Sequence, residues 1–155
     1  MKSVLSLLIC LLLFPAGNLL AGGNKGKSVN ISFHIETEGS DNPKMIIPQM
    51  IAGKQRFFRR LPEISSKDLA AFTPFPADDQ ASYGVVFQIK GKAHQRFEAV
   101  TTDNRGRWLL CQAFGRAVDA VLIDEPVTDG AIVIWKGITL EEVHELDKAM
   151  PRIGE

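Results

Sequence analysis

Residues 83–150 decide the fold, and their sequence is YGVVFQIKGKAHQRFEAVTTDNRGRWLLCQAFGRAVDAVLIDEPVTDGAIVIWKGITLEEVHELDKAM. Apolar residues alternate in VVFQIK and then recur at helical spacing in KAHQRFEAVTTD. This change of period indicates a strand followed by an amphipathic helix. Three further apolar runs follow, separated by short turns, before a second helical pattern. The predicted order is therefore strand, helix, strand, strand, strand, helix.

Turn-forming residues mark the boundaries of these elements. Gly91 follows the first strand, and NRG at residues 104–106 ends the first helix, because glycine adopts the left-handed conformation that satisfies the last carbonyl groups. FGR at residues 114–116 predicts an antiparallel hairpin. The DG pair at residues 129–130 predicts a tight turn that leads into a strand at residues 131–135, beside an antiparallel neighbour.

The second helix is predicted to begin after Thr139. Thr139 and Glu142 form a capping-box pattern, in which the hydroxyl and the carboxylate satisfy two free main-chain amides. Pro151 prevents extension of the helix. Four apolar positions are predicted to form its buried stripe: Leu140, Val143, Leu146 and Met150.

The chain before this block is predicted to form strands. VNISFHIE at residues 29–36 alternates between apolar and polar side chains, which indicates a half-buried strand with His34 on its polar side, as a solvated or hydrogen-bonded surface group. A short apolar segment at residues 45–48 and a partner strand at residues 55–60 follow. Residues 62–82 are predicted to be an ordered connection, in which the prolines permit only a short helix at residues 67–72.

The first 21 residues have the pattern of a secretory signal peptide. Lys2 precedes an apolar run at residues 4–14, and a break at residues 15–18 is followed by the small residues 21–23. The run is too short to span a bilayer, which requires about 20 apolar residues. We therefore expect cleavage after Ala21, a periplasmic or secreted protein without a transmembrane segment, and a flexible leader at residues 22–28.

Charge and composition exclude several function classes. Only Lys2 of the 18 basic residues lies in the predicted signal peptide, so 17 remain against 18 acidic residues. This balance argues against nucleic acid as a partner, because polyanion binding requires a basic excess. Cys111 would remain as a single cysteine, and its apolar surroundings indicate a buried side chain.

Catalytic and metal-binding patterns are also missing from the sequence. There is no GxSxG motif, and the three histidines are far apart in the chain. Glu141, His144 and Glu145 have helical spacing without forming the HExxH pattern, so a solvated helix face is favoured over a metal site. We therefore predict a protein that is not an enzyme and that has no cofactor.

Five arginines are the candidate binding residues: Arg56, Arg59, Arg60, Arg105 and Arg107. The first three lie in KQRFFRR at residues 54–60, which could meet an anionic membrane surface or an extended anionic ligand. Edge strands also carry basic residues to prevent association between sheets, and this alternative is favoured.

Residues 85–150 resemble the head of the first periplasmic domain of SecD and SecDF, accessory subunits of the Sec protein-export channel. The resemblance rests on the order and spacing of VVFQI, of QRFEAVT before TDNRGRWL, of FGRAVDA, of the DG turn before IVIWKG, and of TLEEVHEL. It implies a non-catalytic α+β head that contacts the emerging polypeptide. It implies no role for any individual residue.

The predicted fold is α+β, with a mainly antiparallel sheet and two helices packed on one face through Phe97, Val100, Leu140, Val143 and Leu146. Residues 29–155 are expected to form one domain, in which residues 29–82 precede the block at residues 83–155. The predicted function is an exported binding module that contacts polypeptide or an envelope protein. The alternative is a structural protein associated with the envelope or a membrane surface through residues 54–60. The sequence leaves the oligomeric state open.

The capping box generates the first testable prediction. Thr139→Ala removes the hydroxyl that accepts the amide of residue 142, so we expect the free energy of unfolding to decrease by about 1 kcal/mol. Thermal or urea denaturation of the variant measures this change. An unchanged midpoint would mean that the helix does not begin at Thr139.

Overall fold

A computed structural model describes residues 29–155, so the predicted signal peptide at residues 1–21 and leader at residues 22–28 lie outside the described residues. Over residues 83–150, the helices and strands follow each other in the predicted order. In chain order, the helices and strands of the described chain are β1 (Ile31–Thr37), β2 (Ile46–Ile51), β3 (Lys54–Arg59), β4 (Ile64–Ser65), β5 (Leu69–Pro76), β6 (Tyr83–Ile89), α1 (Gly91–Asp103), β7 (Trp108–Ala113), β8 (Arg116–Leu122), β9 (Ala131–Ile138) and α2 (Leu140–Ala149).

The strands form two antiparallel sheets, where the sequence analysis expected one. The first has the order β2-β3-β1-β7-β8, with β4 also paired to β1, and the second has the order β5-β6-β9. The α+β class is confirmed, and so is the predicted order of elements over residues 83–150. β9 lies antiparallel to β6 and not in the sheet of β8, so the turn at residues 129–130 carries the chain from one sheet to the other.

One apolar core receives side chains from both sheets and both helices. Phe33 of β1 and Phe87 of β6 meet edge to face, with ring centroids 5.9 Å apart. Phe97 of α1 and Leu146 of α2 are fully buried in the same core. Helix packing through Phe97, Val100, Val143 and Leu146 is confirmed. The prediction that Leu140 packs in the buried stripe is wrong. Leu140 is the first residue of α2, and it is 52% exposed.

Residues 62–82 differ from the prediction. Only Ser66–Asp68 form a helical turn, of the 3-10 type, and the chain then enters the eight-residue strand β5, so the predicted helix at residues 67–72 is wrong. The prolines are compatible with this strand because β5 lies at the edge of its sheet. The amide of Phe72 points away from β6 and donates to Pro151 O at 3.1 Å, so Pro74 and Pro76, at alternate positions, interrupt no bond to β6.

His34 is buried, where the sequence analysis expected a surface group. Its side chain is 4% exposed, because β3 and β4 pair with β1 on the same side and their connection covers the ring. Nδ1 donates to the carbonyl of Arg59 at 2.8 Å, which leaves Nε2 to accept from Ser32 Oγ at 2.8 Å. The ring is therefore satisfied in its neutral form.

Two hairpins have two-residue turns in which both residues adopt positive φ. Ala52 and Gly53 connect β2 to β3 with φ values of 50° and 74°. Phe114 and Gly115 connect β7 to β8 with φ values of 54° and 79°. This combination defines a type I′ turn, which favours asparagine or glycine at its first position. Phe114 packs against the core, which offsets its backbone strain, whereas Ala52 is exposed.

Ala52→Asn tests this strain. We expect the free energy of unfolding to increase by about 0.5–1 kcal/mol, because asparagine tolerates the left-handed region better than alanine. Ala81→Asn is the matched control, since Ala81 is exposed in a turn and its φ is not positive. Equal denaturation midpoints for Ala52→Asn and wild type would argue against a strained turn.

His34 generates a prediction about pH. Burial holds the pKa of His34 below its usual value of 6.5, assisted by the charge of Arg60 and opposed by the hydrogen bond to Arg59. The unfolded chain takes up a proton as the pH falls through about 6.5, whereas the folded protein takes it up only at lower pH. The free energy of unfolding should therefore decrease as the pH falls below 6.5, and it should level off below the folded pKa.

Urea denaturation between pH 7.5 and pH 5 measures this effect in wild type, His34→Gln and His144→Gln. His144 is exposed on α2, so His144→Gln should retain the decrease, and His34→Gln should lose most of it. Parallel pH profiles for His34→Gln and wild type would show that His34 is not the responsible group.

Candidate functional site

The five predicted arginines do not form one site. Arg56 and Arg107 converge on Glu36: Arg56 Nη1 lies 2.6 Å from Glu36 Oε1, and Arg107 Nη1 donates to the main-chain oxygen of Glu36 at 3.1 Å. The guanidinium of Arg56 also lies 5.1 Å from the centre of the Trp108 ring, whose main-chain amide donates to Glu36 Oε2 at 2.9 Å. These contacts connect β1, β3 and β7, so Arg56 and Arg107 have structural partners.

The other three arginines lie apart from this cluster and are more exposed. Arg59 Nη1 is 3.4 Å from Glu63 Oε1, and its side chain is 50% exposed. Arg60 donates to the carbonyls of residues 44 and 46, each at 3.0 Å. Arg105 Nε donates to the main-chain oxygen of Asp124 at 3.2 Å, far from β3 along the chain.

The two aromatic residues of the segment 54–60 face opposite sides of β3 and differ in burial. Phe58 is fully buried, and the ring of Phe57 lies so close to Gly39 that a Cβ atom there would come within 2.6 Å of it. The segment therefore presents basic side chains beside one half-buried aromatic ring, that of Phe57. An association with a membrane surface would depend mainly on these charges.

Trp135 is the centre of an exposed apolar surface that the sequence analysis did not predict. On β9, Ile132 and Ile134 face the core, whereas Val133 and Trp135 face outward, and Trp135 is 62% exposed. The ring of Phe75 on β5 meets Trp135 edge to face, with centroids 6.1 Å apart. Two aromatic rings thus lie side by side on the outer face of the second sheet.

Gly84 allows these rings to approach. It pairs with Phe75 on β5, and a Cβ atom at Gly84 would lie 2.2 Å from the Phe75 ring and 2.8 Å from the carbonyl of Ile134. Phe75 therefore lies directly on the main chain of β6.

On the outer face of this sheet, the row next to Phe75 and Trp135 consists of Thr73, Val86 and Val133. The outer face of an antiparallel sheet is commonly polar, and here it is largely apolar. We call Phe75, Val86, Val133 and Trp135 the Trp135 surface.

The main-chain edge of β9 borders this surface. Ile89 donates to Gly130 O at 2.8 Å, so the alternation of an antiparallel pair directs the amides of Ala131, Val133 and Trp135 away from β6. Asp129 Oδ1 accepts the amide of Ala131 at 3.0 Å, and Asp119 Oδ2 accepts that of Trp135 at 2.8 Å. Within residues 29–155, no side chain accepts the amide of Val133, which lies between them.

Two depressions flank Trp135. The crevice, of about 360 Å³, lies between β8 and β9, and its lining includes Leu122, Val133 and Trp135 as well as the buried Phe97. The cleft, of about 370 Å³, lies on the opposite side, and its lining residues are Phe75, Pro76, Asp78, Asp79, Trp135 and Lys136. Leu122 at the crevice is 48% exposed. Trp135 therefore separates two partly apolar hollows.

Metal ligands, the thiol of Cys111 and long apolar helices are three further features of the described chain that bear on function. Within residues 29–155, no group of three or more His, Cys, Asp or Glu side chains is close enough to hold a metal ion. Burial raises the pKa of the Cys111 thiol far above neutrality, so the thiol remains protonated and unreactive. Over the same residues, no helix has both the length and the apolar character needed to cross a membrane.

A signal for Trp135 was present in the sequence. In AIVIWKG, Trp135 has the same strand parity as Val133 and the opposite parity to the isoleucines at positions 132 and 134. If the isoleucines face the core, the tryptophan must face outward. The contact between Phe75 and Trp135 could not be predicted from the sequence, because residues 62–82 show no strand pattern that would pair Phe75 with β6.

Comparison with known proteins gives no match to a family model and no match among curated proteins. Solved structures do match. One is a structure of SecDF, described as a membrane component that enhances protein export, with a TM-score of 0.54 and 23% sequence identity over 78% of this chain. Another is SecDF in a super-membrane-facing form, with a TM-score of 0.51 and 20% identity over 81% of this chain.

This chain has the fold of the SecDF periplasmic domain. The similarity covers 61% of the first SecDF chain and 18% of the second, so the present chain spans only part of their length. Coverage of 78% is more than residues 85–150 could supply alone, so the shared fold includes strands that precede β6. The resemblance inferred from residues 85–150 is confirmed at the level of fold.

Proposed function

We propose that this protein is an exported, non-catalytic module that binds extended segments of unfolded polypeptide on the Trp135 surface. The observation that carries this proposal is the exposed ring of Trp135 against the half-buried ring of Phe75, beside the crevice between β8 and β9. The SecDF-like fold supports it, since SecDF is described as enhancing protein export. The predicted signal peptide supports a location in the periplasm or outside the cell.

An extended polypeptide carries two features that this site can recognise. Its main chain offers carbonyls along a straight path, and the amide of Val133 in the crevice between β8 and β9 can donate to one of them. Its apolar side chains can pack on Phe75 and Trp135, which lose exposed apolar area when they are covered. Neither contact requires a defined sequence, so the site suits a partner that is variable and unfolded.

The second function class uses a different part of the molecule. An envelope or membrane-surface role would use Arg59, Arg60 and Lys54, which are exposed. Because Phe58 is fully buried and Phe57 is half-buried, this segment offers charge with little apolar surface for insertion. Polypeptide binding is therefore the function that the geometry supports better.

Binding to a permanently unfolded protein tests the proposal. A fluorescently labelled protein that has been reduced and carboxymethylated serves as the ligand, and anisotropy measures its affinity for the purified module. We expect Trp135→Ala to weaken binding by about tenfold, as for removal of an aromatic anchor, and Phe75→Ala to weaken it less. Leu61→Ala is the matched control, since Leu61 is 73% exposed and lies outside the Trp135 surface.

Two results would contradict the proposal. The first is equal affinity of wild type and Trp135→Ala for the unfolded ligand, with unchanged melting temperatures. The second is equal binding of the same ligand in its folded, disulfide-intact form, because a folded protein does not present extended segments.

A further inference from the structure

We infer, on the basis of the proposed function, that the Trp135 surface selects polypeptide segments in which apolar residues are flanked by lysine or arginine. The inference rests on the charges around the two depressions. The apolar rings provide the contact for the centre of such a segment, and carboxylates on both sides provide the contacts for its flanks.

Carboxylates lie on both sides of Trp135. Asp78 and Asp79 line the cleft beside Phe75. On the opposite side, three carboxylates line the crevice: Asp124, Glu125 and Asp129. All five are exposed. Lys136 is the basic residue in the lining of these depressions, so the net charge around Trp135 is negative.

These carboxylates are not neutralised by ion pairs within the described chain. Among residues 29–155, the ion pairs closer than 4 Å use other acidic residues: Glu36, Glu63, Asp68, Glu142, Glu145 and Asp147. Arg105 is near the crevice, but it donates to the main-chain oxygen of Asp124 and not to its carboxylate. The negative charge is therefore available to a ligand.

Asp79 shows that this charge is present at neutral pH. Hydrogen bonds from Ser82 and from the amide of Ala81 hold its pKa below the usual value, with a further contribution from Lys136. Its carboxylate stays near the cleft because the same bonds orient it. A cationic side chain beside the aromatic rings would meet this carboxylate, whereas an anionic one would be repelled.

Three peptides with the same apolar centre test the inference. Their flanks carry lysine, glutamine or glutamate, and none contains tryptophan. Trp108→Phe in the protein leaves Trp135 as the only tryptophan among residues 29–155, so its fluorescence reports binding. We expect the affinity to be highest for the lysine peptide, lower for the glutamine peptide and lowest for the glutamate peptide. The affinities of the lysine and glutamate peptides should differ about tenfold at low salt. The difference should shrink at high salt, because exposed charges are screened.

Replacing acidic residues with their amides then tests which carboxylates cause the preference for lysine flanks. Asp78→Asn/Asp124→Asn/Glu125→Gln keeps the shape of the site and removes three of its five carboxylates, so it should reduce the preference, with little change in the affinity for the glutamine peptide. The matched control is Glu38→Gln/Glu141→Gln/Glu155→Gln, which removes as many exposed charges from positions that line neither depression. This control should keep the preference of wild type.

The outcomes separate this inference from the proposed function. Equal affinity for all three peptides, with loss of binding in Trp135→Ala, would overturn the inference and leave the proposed function in place. An unchanged preference in the Asp78/Asp124/Glu125 variant would also overturn the inference. If none of the three peptides binds and the unfolded protein does not bind either, both the inference and the proposed function are overturned.

Discussion

The pairing of β9 with β6 is the interaction on which the candidate site depends. β9 follows β8 in the chain, yet it forms its hydrogen bonds in the other sheet. This arrangement seats Ile132 and Ile134 in the core and directs Val133 and Trp135 outward. It also leaves the edges of β8 and β9 facing each other without forming a ladder, which produces the crevice. A hairpin between β8 and β9 would have closed the crevice and covered the edge of β9.

The N-terminal strands depend on a second set of contacts, centred on Glu36. Its carboxylate accepts from Arg56 and from the amide of Trp108, and its carbonyl accepts from Arg107. Charge-assisted bonds of this kind hold β3 against the central strands. Arg56 and Arg107, which were predicted to bind a partner, thus stabilise the fold. The exposed apolar face on the second sheet is the better candidate for a partner, since solvent contact with aromatic rings is unfavourable unless a ligand covers them.

Much of the fold could be predicted because local signals and tertiary structure agree from residue 83 onward. The capping box at Thr139 and Glu142 is present, with hydrogen bonds of 3.2 and 2.9 Å. The prediction was wrong where tertiary pairing overrides local pattern. Prolines suggested a connection before residue 83, but an edge strand tolerates them when their nitrogens face away from the neighbouring strand. His34 lies on the polar side of β1 by alternation, and only the segment from β3 to β4 covers it.

The sequence by itself determined the α+β class and, over residues 83–150, the order of strands and helices, because hydrophobic period, turn residues and helix caps act over a few neighbouring residues. Parity along β9 also determined that Trp135 and the isoleucines face opposite sides. Only the tertiary structure decided which strands pair, that Phe75 lies over Gly84 against Trp135, and that carboxylates from two distant loops surround them. Phe75 and Trp135, for example, are about 60 positions apart in the chain. No local rule specifies these relations, because they arise when two sheets are brought together around one core.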